Sequence, residues 1–267
     1  MNVYKAKTLA EALAYAEAGA QIMAGCTNLY VELKKNGHPD ADFVDISALS
    51  ELKTVTKTDG ETRIGALVTF ADILRQLDET SALWQAAYSM GSPQIRSRAT
   101  VAGNICDASP ACDAGPALLV SDARIELRSV RGCRELPIGK FFTGYRKTAK
   151  SADELVTAII LPDGTERSVF RKVGLRNALS VSVVSLAAAK RADSLLLAMG
   201  SVAETPVRLV HCEQLIKDTD LSSEMLREAL ASDISPISDL RASREYRFET
   251  ALALLADVLR KEYGYDL

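Results

Sequence analysis

The longest stretch of this sequence without apolar periodicity, residues 91–113, interrupts a chain otherwise patterned as short helices and strands. It carries Gly91, Pro93, Thr100, Gly103, Asn104 and Pro110, residue types that favour turns and exposed polar backbone, and it reads as one long loop. A loop of that length inside a compact chain more often binds something than merely connects two elements. The fold must therefore hold this segment against a framework, and the framework is legible on both sides of it.

Before the loop, Thr8 and Glu11 form a capping-box pair for a helix over 8–19, with Leu9, Leu13 and Ala16 on one face and Gly19 at its end. The whole start, 1–19, is read as an amphipathic helix and not as a signal sequence. A strand over 21–24 leads through Gly25-Cys26-Thr27-Asn28 into a helix over 29–35, closed by Asn36-Gly37. Strands over 41–46 and 62–64 and helices over 69–77 and 81–90 follow, Thr69 and Asp72 marking the start of the first of these helices. After the loop come a helix over 115–121 and strands over 123–130 and 155–161, with Ser151 and Glu154 capping the turn before the second strand. Pro162-Asp163-Gly164-Thr165 is the clearest boundary. Beyond it, segments 168–172, 180–191 and 194–202 read as an antiparallel meander, followed by helices over 222–231 and 243–263. In the last helix Ala251, Leu254, Leu255, Val258 and Leu259 make one apolar stripe, read as a core face.

Composition narrows the function classes. At 267 residues the chain suits two modules sharing an interface, and 48% hydrophobic with 25% charged residues excludes disordered and collagen-like architectures. Lys and Arg number 32 against 35 Asp and Glu, a formal charge of -3, so no field exists to hold a nucleic-acid backbone by counterion release. No apolar run approaches the ~20 residues that span a bilayer, and a cytoplasmic protein is expected. Five cysteines without a Cys-x2-Cys pair, with His38 and His211 as the two histidines, suggest reduced thiols and no protein-built metal site.

Two segments carry chemistry. In Ala24-Gly25-Cys26-Thr27-Asn28-Leu29, small residues let backbone N–H groups approach an oxyanion while Thr27 and Asn28 offer side-chain hydrogen bonds at a helix start. The same pattern also describes a plain strand-to-helix turn capped by Thr27 or Asn28. In the second segment, Thr100-Val101-Ala102-Gly103-Asn104 continues to Ser109-Pro110-Ala111-Cys112-Asp113; Gly103 and Asn104 can adopt left-handed backbone, and Thr100, Asn104 and Ser109 add donors to a second side of one diphosphate. Asp113 would be repelled by that diphosphate, so it either accepts from a ribityl or ribose hydroxyl or caps the helix that follows.

These loops resemble the FAD-binding subunit of molybdenum-containing hydroxylases, the group that includes xanthine dehydrogenase and aerobic carbon monoxide dehydrogenase. The likeness extends in order through Ile64-Gly65-Ala66-Leu67-Val68-Thr69, Ser92-Pro93-Gln94-Ile95-Arg96, Phe142-Thr143-Gly144-Tyr145-Arg146-Lys147, Phe170-Arg171-Lys172, the segment 200–208 and the segment 238–247. The resemblance implies an α+β chain: a two-lobed vanillyl-alcohol-oxidase-type (PCMH-type) FAD module over 1–164, its lobes about 1–55 and 56–164, then an antiparallel sheet plus helices over 165–267. It implies FAD between the lobes. The cofactor would be held by Ile22, Met23, Ala24, Gly25, Cys26, Thr27, Asn28 and Leu29, by Thr100, Ala102, Gly103, Asn104 and Ser109, and by Asp113, Val156 and Lys172. In this family the two loops hold the pyrophosphate, Asp113 falls near the flavin end, and Lys172 near the isoalloxazine, where a cation stabilises anionic reduced flavin. Cys26 and Ala102 stand where most relatives have glycine, and Asn28 where aspartate is more frequent. A Cβ there costs roughly 1–2 kcal/mol if the backbone is left-handed and little otherwise.

The resemblance also implies a division of labour. Molybdopterin on a large subunit oxidises substrate, [2Fe–2S] clusters on a small subunit relay electrons, and the FAD of this chain passes them on, with NAD+ as the acceptor. The redox centre being FAD, no catalytic side chain of its own is expected. Two other readings stand beside it: a free-standing flavin oxidase, and a non-catalytic assembly factor of the same fold.

Overall fold

The computed structural model describes residues 1–37, 41–176, 179–217 and 221–267; His38 lies outside them. The first lobe consists of β1 (Val3–Lys5), α1 (Leu9–Glu17), β2 (Gln21–Met23), α2 (Leu29–Asn36) and β3 (Phe43–Asp45). Its three strands are parallel in the order β1-β3-β2, and α1 presses the buried Ala12 and Ala16 onto them. The chain therefore begins as a strand, not as the expected helix. Val3 and Tyr4, β-branched and aromatic, pair with Phe43 and Val44, and helix starts only at the Thr8 cap. Thr8 Oγ1 accepts from the Glu11 N–H at 3.2 Å, but the Glu11 carboxylate returns to the Lys7 N–H at 2.7 Å, one residue earlier than a reciprocal box requires.

The second lobe runs through β4 (Val55–Thr58), β5 (Glu61–Gly65), α3 (Phe70–Gln76), α4 (Ala82–Ser89), α5 (Pro93–Arg96), α6 (Val101–Cys106), α7 (Ala114–Val120), β6 (Arg124–Ser129), β7 (Gly132–Pro137), β8 (Phe142–Gly144), β9 (Lys147–Thr148) and β10 (Leu155–Pro162). Its sheet is antiparallel in the order β4-β5-β10-β6-β7, and Leu155 to Ile160 in the central strand are all buried. At Thr69 both halves of the capping box form. The segment 91–113 is not one loop, because it contains α5 and α6. Helices of four and six residues are too short to show a 3.6-residue period, yet each has a side-chain cap. Ser92 accepts from the Ile95 N–H at 3.3 Å and Thr100 from the Gly103 N–H at 3.0 Å.

The remainder comprises β11 (Arg167–Gly174), β12 (Ser182–Arg191), β13 (Ser194–Gly200), β14 (Val207–Arg208), α8 (Val210–Leu215), α9 (Ser223–Asp233) and α10 (Arg244–Tyr263). The strands form an antiparallel meander in sequence order. One face, with Val184, Leu186, Leu197 and Met199, meets Ala251, Leu255, Val258 and Leu259 of α10; Leu254 of the same stripe is only partly buried. The opposite face, with Phe170, Ala187, Ala189 and Ala198, joins the core under α4 and α7 of the second lobe. A single apolar cluster thus runs from the central strand β10 into the C-terminal sheet. Arg247, 3% exposed, locks the far side by donating to the Val183 and Ser201 carbonyls and to Asp239. Among the described residues no helix is long and apolar enough to cross a membrane.

Candidate cofactor cleft

The strand β2 ends at Met23, and the five residues before α2 turn back across the second lobe. Gly25 makes this possible. A Cβ there would sit 2.0 Å from the Arg98 carbonyl oxygen, so only glycine lets the first loop lie directly against the chain entering α6. The two polar segments, some seventy residues apart, become one wall of a cleft of about 640 Å³. Ile22, Ala24, Gly25, Cys26, Thr27, Asn28 and Leu29 line it from the first lobe, and Thr100, Ala102, Gly103, Asn104 and Val156 from the second.

The donor set suits an extended anion. Among the described residues, the amide N–H groups of Gly25, Cys26, Thr27, Asn28 and Leu29 meet no protein acceptor, and Asn28 makes no side-chain cap. Unpaired amides at a half-buried surface are poised for a ligand oxyanion. Burial pushes the Cys26 thiol up, aided by Asp45, so it stays neutral beside an anion. Cleft volume, glycine-permitted approach and free donors fit a dinucleotide cofactor: Gly25 to Leu29 would hold its diphosphate, with Thr100 and Asn104 beside them.

Residues 1–164 match the family described as the FAD binding domain in molybdopterin dehydrogenase, and residues 170–261 match the CO dehydrogenase flavoprotein C-terminal domain. The chain belongs to the flavoprotein subunits of the molybdenum hydroxylases. It is 33% identical over 275 residues to the xanthine dehydrogenase FAD-binding subunit of Escherichia coli O157:H7, covering 97% of this chain and 94% of that one. The nicotinate dehydrogenase FAD-subunit of Eubacterium barkeri is 30% identical over 256 residues, with 89% and 86% covered. In fold, the carbon monoxide dehydrogenase of Hydrogenophaga pseudoflava superposes with a TM-score of 0.90 at 21% identity, covering 99% of this chain and 97% of the other. Like its relatives, then, this is an oxidoreductase flavoprotein subunit with an α+β fold.

Within this flavoprotein subunit, four of the expected contacts do not line the cleft: Met23, Ser109, Asp113 and Lys172. Ser109 Oγ instead accepts from the Ala111 N–H at 3.3 Å, closing a local turn. Lys172 Nζ lies 2.8 Å from Asp113 Oδ2 and 3.2 Å from the Ser180 carbonyl, while the Ser182 hydroxyl donates to Asp113 Oδ1 at 2.5 Å. Burial pushes the Asp113 carboxyl up, against the pull of the Lys172 ammonium. The pair joins the start of α7 to β11 and β12, and Asn104 connects it to the cleft: its Oδ1 accepts from Cys112 Sγ at 2.9 Å and from the Ala114 N–H at 3.4 Å.

The cleft of the flavoprotein subunit also contains charges that sequence reasoning missed. Glu32, Asp107, Lys150 and Glu154 line it. Lys150 Nζ is anchored on the Ser151 and Glu154 carbonyls at 2.9 and 3.0 Å. The Arg134 hydrogen bonds hold the Glu154 carboxyl below the usual carboxylate range, while burial pushes the Asp107 carboxyl up. Only the Ser151 and Glu154 cap hinted at this rim.

The two glycine-to-side-chain exchanges separate. Cys26 has φ +61°, in the left-handed region, whereas Ala102 is an ordinary helical residue inside α6. Only Cys26 carries strain. Cys26→Gly is expected to stabilise the fold by about 0.5–1 kcal/mol, the relief of the left-handed Cβ less the extra chain entropy of glycine. Urea unfolding checks this; a destabilised variant contradicts it.

Proposed function

We propose that this chain is the electron-exit subunit of a heteromeric, xanthine dehydrogenase-like molybdenum hydroxylase in the cytoplasm. In this reading residues 1–164 hold FAD between the lobes and 165–267 complete the subunit. The supporting observation is the row of unpaired amides from Gly25 to Leu29 set beside Thr100 to Asn104 in the lining of one cleft. When bound, FAD supplies a reservoir that takes electrons singly and gives them up in pairs. The chain's own residues bind and orient: the amides and Thr27 grip the diphosphate, Val156 and Ile22 supply apolar walls, and Lys172 is held in place through Asp113. A molybdopterin large subunit and a [2Fe–2S] small subunit would supply the electrons, and NAD+ would take them. The likeness to the FAD-binding subunits of the Escherichia coli xanthine dehydrogenase and the Eubacterium barkeri nicotinate dehydrogenase supports this assignment.

The test is a division of labour. Full-length chain reconstituted with FAD is expected to oxidise NADH with an artificial electron acceptor and to show no hydroxylation of purines or aldehydes. Hydroxylase activity from a metal-free preparation of this chain alone overturns the assignment. NADH inertness of a fully flavinylated chain removes NAD+ as the acceptor.

A further inference from the structure

The helix α2, whose N-terminal end carries the first cofactor loop, has no buried residue. A helix of eight residues is marginal by itself, and one without a buried face gains little from packing. What ties it down lies far away in sequence. Among the described residues, Glu32 of α2 pairs with Arg146 Nη1 of the β8–β9 turn, and the Asn28 side chain at the N-cap of α2 lies beside the Asp107 carboxylate. The other arm of the guanidinium, Nη2, reaches Asp107 Oδ1 at 3.4 Å, at the C-terminal cap of α6. Glu32 and Asp107 both line the cleft, from opposite lobes.

Arg146 is itself fixed. It sits at the tip of the β8–β9 hairpin with φ +52°, and its N–H donates to the Ala108 carbonyl at 3.2 Å. A non-glycine residue held in left-handed backbone persists only where its surroundings over-determine it. The turn thus presents a rigid fork to two carboxylates that belong to different walls, a geometry suited to arginine and not to a point charge.

We propose that Arg146 is the latch that keeps α2 closed across the cleft and sets how long FAD stays bound. This rests on the placement of FAD in that cleft. Opening of α2 is a local event of small free energy, since no apolar core is exposed by it, so a single ion pair governs the population of the open form. The pairing side chains of Arg146 and Glu32 are 44% and 41% exposed, which limits the pair to the strength of a partly screened bridge.

The experiment uses the full chain loaded with FAD, rapidly diluted, with release followed by the rise of flavin fluorescence. Arg146→Met is expected to release FAD about two- to fivefold faster. Glu32→Gln is the deciding variant. Removing a carboxylate from a site for a diphosphate would by charge alone slow release, whereas loss of the latch speeds it. Faster release in both variants, with no further gain in the double, supports the latch. An unchanged rate in Arg146→Met, or equal or slower release in Glu32→Gln, overturns it while leaving FAD binding intact. A wild-type chain that takes up no FAD overturns the cofactor assignment and the latch together.

Discussion

Lys172→Met is expected to lower folding stability by about 3–5 kcal/mol, the penalty for leaving one partner of a buried ion pair uncompensated. Lys172 and Asp113 side chains are 12% and 7% exposed, so solvent does little to screen the loss. Among the described residues the orphaned carboxylate would keep only the Ser182 hydroxyl, and β11, β12 and the head of α7 would lose their common tie. Asp113→Asn combined with Lys172→Met removes both charges and is expected to recover most of that stability, because an uncharged pair is far cheaper to bury. Urea denaturation of the three proteins measures the coupling; a single variant within about 1 kcal/mol of wild type would contradict the buried pair. A lysine near the flavin was expected to act on its potential as a free cation. Lys172 stands outside the cleft lining and is paired with Asp113, so if the flavin ring comes near it, Lys172→Met is expected to lower the potential only where the Asp113 carboxyl does not take up a proton in compensation.

This pair shows where sequence reading stops. Local signals were readable: the Thr69 box forms, the Thr8 cap forms, and the meander after residue 164 alternates as written. Each of these is decided within a few residues. Lys172 and Asp113 are 59 residues apart, and Arg146 and Glu32 are 114 apart, and nothing in the residues around them records the other end. The first lobe's opening strand was lost for a related reason. Three residues, Val3 to Lys5, become strand because β3 is there to pair with them, while the amphipathic run that follows draws the eye to helix. Exposed β7 likewise lacks the alternation that marks a half-buried strand. The loops themselves were legible because glycine, threonine and asparagine announce unusual backbone; that they meet was not, until Gly25 was seen to lie against Arg98.

Gly103→Trp is expected to weaken FAD binding by on the order of 100-fold, equivalent to about 2.7 kcal/mol, without unfolding the chain. Gly103 is exposed at the head of α6, and its φ is not positive, so a side chain is compatible with the backbone there. A Cβ at this position would meet one atom, the Thr100 hydroxyl oxygen at 2.8 Å, and beyond it lies the cleft. Crowding that hydroxyl weakens the α6 cap by about 1 kcal/mol, far less than the stability of a domain of this size. The indole therefore has one place to go, the space between Gly103 and the amides of the first loop. Thr27→Ala with Asn104→Ala attacks the same site from the donor side and is expected to release FAD as well, although Asn104 also supports the Cys112–Ala114 turn and its loss carries a stability cost. Flavin absorbance after gel filtration reads retention, and circular dichroism with urea titration reads the fold. Stoichiometric FAD in both variants would remove the cleft as the cofactor site, whereas flavin loss with an intact unfolding transition ties the diphosphate to the wall these two loops build.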